Sequence, residues 1–217
     1  MERKILSAAM NDADRCAELL AAAFADDPLM TQIWPESAER KRSLPLYFRT
    51  SLRSHHLAGG GVEIAVGQDG EATSVAVWDP PNHWQQRITS TVRAAPHLLK
   101  ALGTRALAAL RIRHTLDHHH PETPHWYLVN IGTRPALSGQ GFAGALLDNR
   151  LALCDETQIP AYLVCTREEN IPLYEKYGFR VTEAFALPTS GPMMWSMWRD
   201  PAIPLDDGKG RRPGTSS

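Results

Sequence analysis

Gly139, Gly141 and Gly144 stand where an apolar run passes into a helical stretch, in Trp126-Tyr-Leu-Val-Asn-Ile-Gly-Thr-Arg-Pro-Ala-Leu-Ser-Gly-Gln-Gly-Phe-Ala-Gly-Ala-Leu-Leu147. Glycine lets backbone approach an anion closely, and a helix starting there offers it unpaired N–H groups. A pyrophosphate is the natural occupant, although a tight turn with no ligand has the same pattern. A dinucleotide-binding fold would run its strand straight into the first glycine, whereas Thr133 to Ser138 intervene here. A nucleotide-hydrolase phosphate loop would continue into Gly-Lys-Ser/Thr, and this segment does not.

A second constellation follows in Asn170-Ile-Pro-Leu-Tyr174-Glu-Lys-Tyr177-Gly178-Phe179. Asn170 and Tyr174 lie one helical turn apart, so both can face one ligand. A tyrosine phenol titrates near about 10 and can still give up a proton at neutral pH. Tyr177 and Phe179 read as packing aromatics on either side of a helix stop.

The two stretches together resemble the GCN5-related N-acetyltransferases, the GNAT family. Its coenzyme loop begins with Gln or Arg and has Gly fourth and Gly or Ala sixth; here those slots hold Ser138, Gly141 and Ala143. The departure at Ser138 removes one polar anchor and implies weaker coenzyme affinity. Leu20-Ala-Ala-Ala-Phe-Ala-Asp26, Val75-Ala-Val-Trp78, Pro160-Ala-Tyr-Leu163 and Trp195-Ser-Met-Trp-Arg199 extend the resemblance toward the puromycin N-acetyltransferase-like branch. Val164 stands where that branch has an acidic residue, so no carboxylate role carries over to it.

The resemblance implies an α/β (α+β) GNAT fold with a central mixed, mostly antiparallel twisted sheet, flanking helices and a helical insertion before the central strand. It implies acetyl-CoA as co-substrate, held by Ile131, Gly132, Thr133, Ser138, Gly139, Gln140, Gly141, Phe142, Ala143, Gly144 and Asn170. Backbone N–H groups of Ile131 to Thr133 would bind the thioester oxygen and the pantetheine arm. The acceptor would be the primary amine of a small molecule, such as an antibiotic or an aminoacyl-nucleoside-like compound. The competing reading is a coenzyme-A-binding module that has lost catalysis.

Acetyl transfer needs a neutral amine, a donor to the oxyanion and a proton for the departing thiolate. Tyr174 is assigned the last role. Asp26, Asp27, Asp79 and Glu168 are the candidate bases, and Trp34, Trp84 and Trp195 the candidate walls of an aromatic acceptor pocket. His114, His118, His119 and His120 read as solvated linker histidines, and no metal is expected.

Positioning these groups requires a sheet with helices on both faces. Apolar spacing places helices over 11–25, 34–56, 142–157 and 171–177, and strands over 62–66, 72–78, 126–132, 161–165, 179–187 and 193–198. Gln68-Asp69-Gly70 is the hairpin turn between the first two strands. Residues 84–116 read as helix broken near Pro96 and Gly103.

With 43% hydrophobic and 22% charged residues, one domain over 1–199 is expected, followed by a disordered tail over 200–217. Lys and Arg number 23 against 24 for Asp and Glu, leaving no case for nucleic-acid binding. The insertion is basic nonetheless, with Arg87, Arg93, Lys100, Arg105, Arg111 and Arg113 against Asp117. The short apolar run at Ile5 to Met10 fits neither a secretory signal nor a membrane span. Cys16, Cys154 and Cys165 form no CxxC pair and read as buried reduced thiols, so a cytoplasmic protein is expected; a monomer or homodimer is expected as well.

Overall fold

The computed structural model describes residues 4–68, 70–83 and 88–203, with 88–94 as backbone. Asp69 of the hairpin turn, Trp84 and residues 204–217 of the tail lie outside the described residues. Strands β1 (Lys4–Ser7), β2 (Val62–Val66), β3 (Ala72–Asp79), β4 (Trp126–Thr133), β5 (Ala161–Cys165), β6 (Arg180–Ala186) and β7 (Met193–Arg199) form one sheet. Its order is β1-β2-β3-β4-β5-β7-β6, and only β4 and β5 pair in parallel. The helices are α1 (Ala13–Ala23), α2 (Pro28–Ile33), α3 (Ser37–Ser51), α4 (Ile88–Leu102), α5 (Ala106–His118), α6 (Phe142–Thr157) and α7 (Ile171–Glu175).

Two layers of apolar contact enclose the sheet. On one face Cys16 and Leu20 of α1 and Phe48 of α3 pack with Val75 and Val77; on the other Leu146, Leu147 and Leu151 of α6 pack with Ala76, Trp78 and Met197. The strict alternation along β3 assigns neighbouring residues to opposite layers. All three cysteines are buried and unpaired, and burial pushes the thiols of Cys16 and Cys154 up to about 12, which keeps them inert.

Three elements depart from the sequence expectation. Asp26-Asp27-Pro28 ends α1 but also begins α2, because Asp27 caps that helix and proline suits its first position. The short, half-exposed β1 is carried by its pairing with β2. Pro96 does not break α4, which packs along α3; the break falls at Gly103–Arg105.

Two charged contacts anchor α6. Arg150 meets Glu63 of β2 at 2.7 Å, each side chain only 7% exposed, and Asn149 donates to the same oxygen at 3.0 Å. Arg150 also lies 4.3 Å from the Trp126 ring centre. Asp155 accepts both terminal nitrogens of Arg199 at 2.7 Å, and Arg199 Nε donates to Tyr177 O. Glu63→Ala strands a buried guanidinium, so urea unfolding should show a loss of about 3 kcal/mol, while Glu63→Gln should lose less.

Candidate active site

The cleft originates in a defect of the sheet. Asn130 pairs with Val77 but Leu128 with Trp78, so Val129 is an extra residue and β4 bulges there. Pairing between β4 and β5 runs only from Trp126/Ala161 to Leu128/Leu163, although β4 continues to Thr133 and β5 to Cys165. The diverging strands leave an opening of about 310 Å³ that residues from both faces line.

At the α6 end, Ile131, Gly132, Thr133, Ser138 and Ala143 line the opening. Ser74 Oγ donates to Gly132 O at 2.8 Å and bonds Thr133 Oγ1 at 2.9 Å, holding the end of β4. A Cβ on Gly132 would lie 2.8 Å from Ala23 Cβ, so glycine lets α1 close on β4. Gly139 and Gly141 have φ of +75° and +79°. Gly141 caps α6, and the helix's first internal bond runs from Ala145 N to Gly141 O, so the N–H groups of Ala143 and Gly144 lie ahead of the ladder. Such a terminus attracts an anion.

Three residues of this loop differ from the expectation in how they contribute. Phe142 buries its side chain in the core, and the exposed Gln140 is not among the residues that line the opening. Gly144 is required by packing, since a Cβ there would sit 2.5 Å from Tyr177 Oη.

Asn170 and Tyr174 also line the opening, Tyr174 within the apolar layer that α6 forms. Tyr174 packs edge-on against Phe179, ring centres 6.1 Å apart, and its hydroxyl bonds no described residue. Burial, with the nearby Cys165 and Asp27, pushes its phenol above the usual range, so it stays protonated at neutral pH. Across the sheet, Asp27 Oδ1 accepts from Leu29 N at 2.9 Å and Met30 N at 3.2 Å, and Oδ2 accepts from Thr166 Oγ1 at 2.5 Å. Burial raises the Asp27 carboxyl above the ordinary value, opposed by these bonds and by Arg167. A protonated phenol and a buried carboxylate thus share one cleft with a helix N-terminus.

A match to the acetyltransferase (GNAT) family spans residues 64–179, from β2 across the bulged strand and glycine loop to Phe179. The chain belongs to that family. Among solved structures, a protein of Corynebacterium glutamicum described as histone acetyltransferase HPA2 and related acetyltransferase is 26% identical, with a TM-score of 0.75 over 94% of this chain and 99% of that one. The Aedes aegypti arylalkylamine N-acetyltransferase 2, 13% identical, shares the fold with a TM-score of 0.60 over 92% of this chain and 99% of that one. An uncharacterized N-acetyltransferase of Schizosaccharomyces pombe is 24% identical over 185 residues, 77% of this chain and 70% of its own. The architecture is a GNAT fold, and GNAT proteins bind acetyl-CoA.

Several expected residues lie outside the GNAT cleft. Asp26 points to solvent, its side chain 89% exposed beside Arg40. Trp34 is fully buried in the core against Tyr47, and Trp195 packs against the α6 layer beside Cys165, so neither lines the opening. Glu168 is exposed. Asp79 is buried but lies outside the lining, bonded to His56 Nδ1 at 2.7 Å and 3.5 Å from His55 Nε2. A π-helical turn over Leu52–His56 brings these two consecutive histidines to one carboxylate, a grouping the sequence did not suggest. His119 stacks on Phe185 and His120 packs against Tyr127 and Tyr162, so these two are not solvated linker residues, while His114 and His118 are exposed on α5.

Burial opposes ionisation of Asp79, but the bond from His56 and the nearby His55 imidazole outweigh it and hold the carboxyl at about 2. A depressed carboxyl stabilises the fold above its unfolded value near 3.8, and that contribution disappears as pH falls toward 2. Asp79→Asn should therefore cost about 2 kcal/mol at neutral pH and flatten the acid limb of stability in urea titrations at stepped pH.

Proposed function

We propose that this chain transfers an acetyl group from acetyl-CoA to the primary amine of a small molecule. The observation carrying the reading is the convergence, on one opening between β4 and β5, of the α6 N-terminus, Tyr174 and Asp27. The coenzyme's pyrophosphate would lie against the N–H groups that begin α6. Its pantetheine arm would follow the unpaired edge of β4 at Ile131 to Thr133, with Asn170 lining the same opening.

The acceptor amine attacks the thioester carbon, and a backbone donor of β4 steadies the oxyanion. Asp27 takes the proton that the amine nitrogen loses. The C–S bond breaks, and Tyr174 gives its phenolic proton to the coenzyme sulfur. The products are an amide and the free thiol of coenzyme A. Asp27 supplies the base that the sequence left among four candidates, because it alone of them lines the cleft.

Two proteins that share the fold, an arylalkylamine and a polyamine N-acetyltransferase, support a small amine acceptor. The test is thiol release from acetyl-CoA against a panel of amines that includes the aminonucleoside antibiotics suggested by the puromycin-like resemblance. Amine-dependent release is expected. Saturable acetyl-CoA binding without release for any amine would instead establish the non-catalytic module that Ser138 and Val164 keep in contention.

A further inference from the structure

We propose that the acceptor is a small monoamine with an apolar, preferably aromatic, body; this rests on the acetyltransferase reading and narrows it. Among the described residues lining the opening, Asp27 is the only carboxylate and Arg167 the only cation. One ammonium therefore has an ionic partner, beside the α2 N-terminus where Asp27 is fixed by Leu29 N and Met30 N. Phe24, Leu29, Met30, Leu116, Tyr127 and Val129 supply apolar and aromatic surface on the acceptor side, with Asn130 and Thr166 as uncharged polar groups beside them. Leu116 belongs to α5, so the helical insertion contributes directly to acceptor choice.

A second ammonium or a guanidinium would find no second carboxylate among the described lining residues, and an unpaired charge in such a site is rejected strongly. Asp79, on the strand beside Tyr127, is already bonded to His56 and does not line the opening. Size points the same way. About 310 Å³ lies at the low end of ligand pockets, roughly 300–1,000 Å³, and the pantetheine end must share it. With α2 and α5 both contributing walls, that volume suits a compact body better than an extended peptide.

Steady-state kinetics of the full chain with acetyl-CoA should compare 2-phenylethylamine and tryptamine with putrescine, spermidine, agmatine and a lysine-containing peptide. The aryl monoamines should exceed the others in kcat/KM by about a hundredfold. A polyamine or the peptide matching or exceeding them overturns the inference and leaves acetyl transfer intact; no thiol release with any amine overturns both. Leu116→Glu, which adds a second carboxylate, should raise the putrescine to 2-phenylethylamine ratio about tenfold or more with unchanged acetyl-CoA affinity by calorimetry. An unchanged ratio in a variant that still binds acetyl-CoA removes Leu116 from the acceptor wall.

Discussion

Tyr174→Phe should lower kcat for acetyl transfer by about a hundredfold or more while leaving the acetyl-CoA dissociation constant nearly unchanged. The phenol is the protonated group of the cleft, kept neutral by burial, and the coenzyme thiolate is a poor leaving group without a proton. Removing its oxygen leaves no buried partner stranded, because the hydroxyl bonds no described residue, and the ring contact with Phe179 is retained. Thermal stability should therefore stay close to wild type, separating a chemical effect from a structural one. Two further readings distinguish proton donation from packing. An acyl donor whose thiol is more acidic should recover much of the lost rate, and the alkaline fall in kcat, which lies above pH 10 because the phenol is shifted upward, should disappear. A variant with wild-type turnover would remove Tyr174 from the chemistry.

The second large effect is expected at Asp27. Asp27→Asn should reduce kcat/KM for a primary amine about a hundredfold and abolish the part of the acid limb that belongs to this carboxylate. Only the anion accepts a proton, so the rate rises as pH climbs through the Asp27 pKa, which burial places above 3.8. Folding has the opposite dependence. A raised carboxyl pKa adds stability at low pH that is lost as pH rises through the folded value, so the asparagine variant should be no less stable at neutral pH. Asparagine can also keep the cap by accepting from Leu29 N and Met30 N, and Thr166 can turn its hydroxyl to accept. Asp27→Ala loses both and should cost about 1 kcal/mol besides the activity. Stopped-assay kinetics beside urea denaturation would read the two consequences separately; full activity in Asp27→Asn would eliminate the base assignment.

What could be read from the chain was mostly local. The two glycines with positive φ, the helix after them, and the one-turn spacing of Asn170 and Tyr174 are properties of a few consecutive residues. The β2/β3 hairpin and the buried β5 were visible for the same reason, their apolar periods being short-range. Asp26 and Asp27 show the limit. They are adjacent and chemically identical, and they separate only because the chain turns into α2 at Pro28 and because Thr166, 139 residues on, donates to the second. One ends in solvent and the other in the cleft.

Aromatic residues show it again. Trp34 and Trp195 have the composition of pocket walls, yet one is consumed by the core at Tyr47 and the other by the α6 layer. The wall residues that replace them, Met30 and Leu116, are ordinary apolar positions of α2 and α5 that no spacing sets apart. By itself the sequence determined the family, the strand-loop-helix whose glycines leave N–H groups free at the helix start, and the tyrosine one turn from Asn170, since each depends on neighbours along the chain. The tertiary structure alone decided the opening and its charge. A one-residue bulge at Val129 parts β4 from β5, and only the packing of distant elements selects which carboxylate and which apolar side chains meet there.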